Sequence, residues 1–446
     1  MELILNNAQV CIDNRLVKCS LAIDKGRVTK IGTEASMPAF DRRIDVKNLL
    51  VLPGMIDVHV HLRDQGKAYK EDFYSGTASA AAGGFTTVLD MPNNDPVTMN
   101  EKTLCDRMET ASTKIVVNVG FFCEFPDRLK EISRIVNAGT VGFKLFMAEQ
   151  VGGLDIGDDE TLIEAFREVA ACNLRVAVHA EDEAMLDKAK HELQSLGRND
   201  VSAFLDAHSE VVEVAAVKRL LRLVSAAGVA LHFCHVSTGE ALQQVASAKK
   251  SGVPVTCEVT PHHLLLSSDD MKRIGTLALT MPPVRQRSHM NALWDGIKRN
   301  IVDFVGSDHA PHTIAEKNAE SIWNVKVGMP GLETALPLLL TEVNRGRLSL
   351  AELVRLLSAR PAEIFGLESK GKLEEGSCAD LTVIDLKRTH KIDASKFQSK
   401  AKFSPFDGWC VQGKAVKTFV GGKLVMDDGE IVAEAGSGRV IRRGVS

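Results

Sequence analysis

No two cysteines in this 446-residue chain are spaced CxxC. The nine that exist (Cys11, Cys19, Cys105, Cys123, Cys172, Cys234, Cys257, Cys378 and Cys410) are scattered and odd in number. That argues against a disulfide framework or a cysteine-type zinc finger and predicts a reducing compartment. No uninterrupted apolar run reaches the roughly 18 residues a membrane span needs. The opening MELILNNAQVCIDN meets polar residues before a secretory-type apolar core can form, so no signal peptide is expected. Excess charge is missing too: 54 Lys and Arg against 58 Asp and Glu gives 54 − 58 = −4. Neither a nucleic-acid footprint nor a polybasic membrane patch is present. No GxGxxG or GKS phosphate loop, period repeat or low-complexity segment occurs. With 45% apolar and 25% charged residues, the composition argues against disorder, collagen and coiled coil. The expectation is a soluble, cytoplasmic globular protein, with one large domain and a smaller partner.

Two textures divide the chain. The first fifty residues read as short strands with Gly26 and Gly32 at turns. The last seventy repeat that texture in ADLTVIDL, AVKTFVGGKLVMDDGEIV and RVIRRGV. This predicts a small β-sandwich domain composed of residues 1–52 and 369–446. Between them, eight short apolar runs alternate with helical patterns: MIDVHV (55–60), TTVLDM (86–91), IVVNVGFF (115–122), TVGFKLFM (140–147), LRVAVHA (174–180), VALHFCHV (229–236), VPVTCEV (253–259) and IVDFVGS (301–307). Alternating strands and helices imply parallel pairing, and eight such units imply an α/β fold, a (β/α)8 TIM-type barrel over 53–368. Gly83-Gly84 reads as a helix-to-strand turn. The longest irregular stretches, 261–286 and 308–330, are candidates for functional loops.

The chemistry begins at Asp57-Val58-His59-Val60-His61. Residues i and i+2 of a strand point the same way, so His59 and His61 project together from the C-terminal end, where barrel active sites lie. A lone strand histidine is usually a core residue, but two in register are metal-ligand candidates. His179, His235 and Asp308 also fall just after apolar runs. Four imidazoles and one carboxylate at one barrel mouth exceed what a single tetrahedral zinc needs, and two cations want an anionic bridge. Lys144, a charge inside VGFKLFM, offers one: its neutral amine can add CO2 to give a carbamate, N6-carboxylysine. The blander reading is a strand lysine that snorkels or pairs with Glu149.

The string GMIDVHVHLRD…GTASAAAGGFTTVLDMPNN, with GFKLFM, VHAED, CHVST, TPHHL, GSDHAPH, GLET and SPFDGW (404–409), resembles the cyclic amidohydrolases of the amidohydrolase superfamily. Within it, the dihydroorotases of the longer, Lys-containing type are most alike, from about Asn7 to Gly422. The resemblance implies His59, His61 and Asp308 at the more buried of two zinc ions and His179 and His235 at the second. Carboxylated Lys144 and a hydroxide would bridge the two, and Asp308 would also shuttle the proton. Arg63, Asn93 and His312 match the family's substrate-carboxylate contacts. The implied reaction interconverts N-carbamoyl-L-aspartate and L-dihydroorotate in de novo pyrimidine (UMP) biosynthesis, on a small-molecule substrate and in a homodimer.

Arg63 separates the alternatives. A guanidinium holds a carboxylate bidentately; dihydroorotate carries one where hydantoin and allantoin do not. A hydantoinase or allantoinase is therefore the second reading. A non-catalytic partner of aspartate transcarbamoylase comes last, because all six ligand positions are present. Two departures from the family stand out. Thr280-Met281-Pro282-Pro283-Val284-Arg285 has Met281 where Asn is common, and HLRDQG replaces HLREPG. Of the adjacent His262 and His263, only one would face the site if they lie on a strand. His191, His208, His232, His289 and His390 read as structural or exposed.

Overall fold

The computed structural model describes residues 2–12, 15–149 and 151–443. The β-rich ends expected from sequence extend over residues 1, 13–14 and 444–446, which, with residue 150, lie outside the described residues.

Five strands open the chain: β1 (Leu3–Ile12), β2 (Arg15–Asp24), β3 (Arg27–Gly32), β4 (Arg42–Asp45) and β5 (Leu50–Pro53). Eight more follow: β6 (Met55–Val60), β7 (Phe85–Asp90), β8 (Asn118–Glu124), β9 (Gly142–Phe146), β10 (Arg175–His179), β11 (Ala230–Phe233), β12 (Val255–Val259) and β13 (Phe304–Val305). Each of these pairs in parallel with the next in chain order. Closure between the last and the first is made by a parallel bridge from Val60 to His309, with the His61 N–H donating to the His309 carbonyl at 2.8 Å. All eight runs read from sequence are strands of this barrel. Every residue of β6, β7 and β8 is buried, as expected where helices cover the outer face and strands read as continuous apolar runs. β13 is only two residues long because the chain leaves the ladder at once: the Ser307 N–H donates to Asp57, at 3.1 and 3.2 Å from its two carboxylate oxygens.

Between the strands, the expected helical patterns include helices Asp159–Ala171 and Glu210–Ala227. Asp158 caps the first, and Gly228, left-handed at φ 73°, ends the second. Gly83 caps helix Phe73–Ala82, and Gly84, at φ 88°, feeds β7. This is the turn expected. The stretch 261–286 is less irregular than expected. It holds helices Pro261–Leu265 and Ser268–Ile274, and 308–330 holds helix Ile314–Lys317.

The chain closes with β14 (Leu381–Lys391), β15 (Cys410–Val420), β16 (Lys423–Asp427), β17 (Glu430–Ile431) and β18 (Val440–Ile441). A second sheet runs in the order β17-β16-β15-β14-β5-β1-β2-β3, with β4 beside β1, so both ends of the chain build it. Its buried face gathers Leu5, Leu21, Ile23, Val51, Leu381, Val383 and Phe419. Thr382 Oγ1 donates to the Gly84 carbonyl at 2.7 Å and Thr418 Oγ1 to the Ala81 carbonyl at 2.8 Å, tying this sheet to the first barrel helix. The RVIRRGV run, grouped by texture with the terminal strands, departs from them: β18 pairs in parallel with β8 of the barrel.

Candidate active site

His59 is the last residue but one of β6, and His61 follows directly after the strand. Both send Nε2 toward one carboxylate oxygen of Asp308, at 3.4 and 3.3 Å. The ligand atoms of these three residues lie within 4.8 Å of one another, and all are buried. Asp308 reaches inward from a left-handed backbone, φ 48°, a conformation that non-glycine residues adopt where local structure demands it. Asp57 sets that demand, accepting the N–H of Ser307 and that of His59. Despite burial, the histidines around Asp308, His59 first, hold its carboxyl well below its ordinary range. Burial brings His61 down to about 3, and burial and then His179 hold His235 low as well. Neutral imidazole and ionised carboxylate are the protonation states metal ligands need, and His61, His235 and Asp308 hold them, whereas, against the effect of burial, Glu258 raises His59 well above its ordinary range.

His179 ends β10, and its Nδ1 lies 3.0 Å from His235 Nε2. The His235 ring stands 5.2 Å from that of His59, so the two histidine pairs adjoin. Lys144, wholly buried on β9, lies with Nζ 3.0 Å from Cys234 Sγ and makes no ion pair among the described residues. It neither snorkels nor pairs with Glu149. A buried ammonium without a carboxylate is costly; as a carbamate it would be an anion. The donor set, four imidazoles and a carboxylate with this lysine beside them, thus fits divalent cations of the zinc type.

A surrounding layer of carboxylates escaped the sequence reading. Glu258 accepts from His59 Nδ1, which leaves Nε2 facing Asp308, and lies 3.3 Å from His232 Nε2. Glu181 stands 3.0 Å from His179 Nε2 and 2.9 Å from His208 Nδ1. His208 and His232, expected to be structural or exposed, are therefore partners of the carboxylates that orient the ligand candidates. The signal was available: Glu258 interrupts the apolar run VPVTCEV as Lys144 interrupts its own. Asn93, expected at the substrate, has Oδ1 2.7 Å from His61 Nδ1.

Arg63 follows His61 on a left-handed backbone, φ 63°, and is 7% exposed. Burial brings its pKa to about 10. Its Nε has no hydrogen-bond partner, and it makes no ion pair among the described residues. His312 Nδ1 is 3.1 Å from Lys70 Nζ and its Nε2 2.9 Å from the Val327 carbonyl. An ammonium only donates and a carbonyl only accepts, so His312 carries its proton on Nε2. The 3.3 Å approach of Arg63 Nη2 to that Nε2 then sets donor against donor. His262 and His263 lie on a helix rather than a strand. His263 is taken up by Thr260 and the Pro282 carbonyl, while His262 keeps an unpartnered Nε2. Met281 lines a cavity of about 420 Å³ with Leu186 and Trp323 and with the charged Glu149, Asp187 and Lys190.

The pattern of the Amidohydrolase family matches residues 50–425. A dihydroorotase of Methanothermobacter thermautotrophicus is 39% identical over 445 residues, covering 99% of this chain and 97% of that protein. An L-hydantoinase of Paenarthrobacter aurescens is 35% identical over 449 residues, covering 99% and 98%. The solved structure of L-hydantoinase (dihydropyrimidinase) from Arthrobacter aurescens superposes with a TM-score of 0.94 at 34% identity, covering 99% of this chain and 100% of that one. With a barrel of this topology and a histidine–aspartate cluster at its mouth, the chain belongs to the amidohydrolase family.

Proposed function

We propose that this enzyme is a dihydroorotase, opening the cyclic amide of L-dihydroorotate to N-carbamoyl-L-aspartate and catalysing the reverse closure. The observation that carries this reading is Arg63: a buried guanidinium two residues from a candidate ligand histidine, with an unpartnered Nε and no ion pair to a carboxylate among the described residues. Such a group is costly unless a ligand anion completes it. A substrate carboxylate is that anion.

His59, His61 and Asp308 would hold one divalent cation and His179 and His235 a second. Lys144 would join them after its amine adds CO2, forming the N–C bond and losing a proton. Two zinc ions so held would supply Lewis acidity at the ring carbonyl and lower the pKa of water. The chain's own groups do the rest. Asp308, kept ionised, accepts a proton from the attacking water and returns it to the ring nitrogen as the C–N bond breaks. Glu258 and Glu181 hold the imidazoles in orientation, and Asn93 steadies His61. Arg63, with His312 beside it, holds the substrate carboxylate and excludes rings that lack one. We assign the catalytic unit to 53–368, place the enzyme in pyrimidine biosynthesis in the cytoplasm, and take a homodimer as its assembly.

The competing reading is a hydantoinase. It is favoured by the 35% identity to an L-hydantoinase. Arg63→Met decides between the roles of that side chain. Losing a charge-assisted pair costs about 1.5–3 kcal/mol, so KM for L-dihydroorotate rises roughly 10- to 150-fold with metal content unchanged. An unchanged KM removes Arg63 from substrate binding.

A further inference from the structure

Lys317 is as deeply buried as any residue of the core, with 0% exposure, and it has no carboxylate partner among the described residues. Its Nζ donates instead to three backbone carbonyls: Gly328 at 2.9 Å, Lys326 at 3.1 Å and Leu279 at 3.2 Å. The Phe403 ring closes the site, its centroid 5.8 Å away. An ammonium has three N–H groups, and here each has one acceptor. The Leu279 carbonyl also accepts from the Gly328 N–H at 2.8 Å, so the two segments are laced together at this point.

Burying an unpaired charge costs several kcal/mol that an apolar side chain of the same length would not incur. What the charge obtains is geometry. Residues 326–328 form neither helix nor strand, and Gly328 takes φ 127°, so the directions of their carbonyls are set by the hydrogen bonds they accept. With those of Lys326 and Gly328 both drawn in to Nζ, the intervening Val327 carbonyl is turned the other way, toward His312, whose Nε2–H it accepts at 2.9 Å. That bond fixes the His312 tautomer and leaves Nδ1 to accept from Lys70 Nζ at 3.1 Å. The short helix Ile314–Lys317 is anchored on both sides: Glu316 meets Lys70 at 2.7 Å, and Lys317 fills the carbonyl cage.

We propose that Lys317 is a positioning residue for substrate binding: its ammonium sets the Val327 carbonyl, which orients His312 beside Arg63 at the substrate's anionic end. This rests on the dihydroorotase reading for the identity of the ligand, but not for the geometry. Lys317→Met keeps the chain length and removes all three N–H groups. In the metal-loaded enzyme, KM for L-dihydroorotate should rise about 10- to 100-fold while kcat stays within about threefold, because the reacting atoms are untouched and only an orienting layer is lost. A general loss of structure would instead lower kcat and metal content together. A folded Lys317→Met variant with unchanged KM overturns the proposal. A second measurement needs no variant: ¹⁵N NMR of the imidazole in the wild-type protein should find His312 protonated on Nε2 and bare on Nδ1. The opposite tautomer, or an imidazolium at pH 7, overturns the proposal as well. If the wild type does not hydrolyse dihydroorotate at all, the functional reading fails, while an NMR comparison of wild type with Lys317→Met still decides the role of Lys317: a His312 signal shifted in the variant supports it, and an identical signal overturns it.

Discussion

At the scale of single residues, the site works through pairs in which one partner is chemically ordinary and the other constrains it. His59 is a ligand candidate because Glu258 takes its Nδ1 and leaves Nε2 facing Asp308. Orienting carboxylates of this kind tune affinity rather than create it. Glu258→Gln should therefore weaken metal binding about 10- to 100-fold, measured by competition with a chelator, without abolishing the fold. Affinity equal to wild type would show that Glu258 serves packing alone. The ligand candidates were legible because period-2 geometry and strand-end placement leave a mark in the sequence. Their partners were not, because pairing Glu258 with His59 depends on how strands 199 residues apart come together. His312 was recognisable as a mouth residue. That its proton sits on Nε2 follows only from the Lys70 ammonium and the Val327 carbonyl on either side.

Among the elements, the eight barrel runs were readable because strands covered on both faces are written as nearly continuous apolar sequence. Their ends were less so. IVDFVGS yields only Phe304–Val305 as strand, since Asp57 captures the Ser307 N–H. His262 and His263, adjacent and therefore divergent on any strand, are carried by a helix that Thr260 caps. One helix makes a pH-dependent contribution. Glu333, in the first turn of Leu332–Asn344, has its pKa raised from its ordinary 4.5 to about 7 by burial. The folded protein thus holds this proton more tightly than the unfolded chain, and stability falls as pH rises from about 4.5 through about 7. Glu333→Gln, which resembles the protonated form, should raise Tm relative to wild type at pH 8 and converge with it at pH 4.5. Parallel Tm profiles for the two proteins would contradict this.

For the whole molecule, the sheet built from both termini is locked to the barrel at close approaches rather than merely tethered. Gly413 of β15 has φ 107°, and a Cβ there would stand 2.5 Å from Cβ of Leu340 on the barrel helix. Gly413→Ala should cost about 2–4 kcal/mol through backbone strain and overpacking, read as a lowered Tm, with kcat of the folded enzyme preserved. Composition foretold two β-rich ends, but it could not foretell that β18 would leave them for the barrel, since the partner strand of a two-residue segment is chosen by tertiary packing. What the assembled mouth accepts separates a dihydroorotase from a hydantoinase. The most direct test compares kcat/KM of the metal-loaded enzyme for L-dihydroorotate with that for a 5-substituted hydantoin. A buried Arg63 whose Nε is unpartnered predicts a preference for dihydroorotate of roughly 100-fold or more, the worth of a site group left unpaired by a substrate lacking its carboxylate. Equal values, or a preference for the hydantoin, would contradict the account.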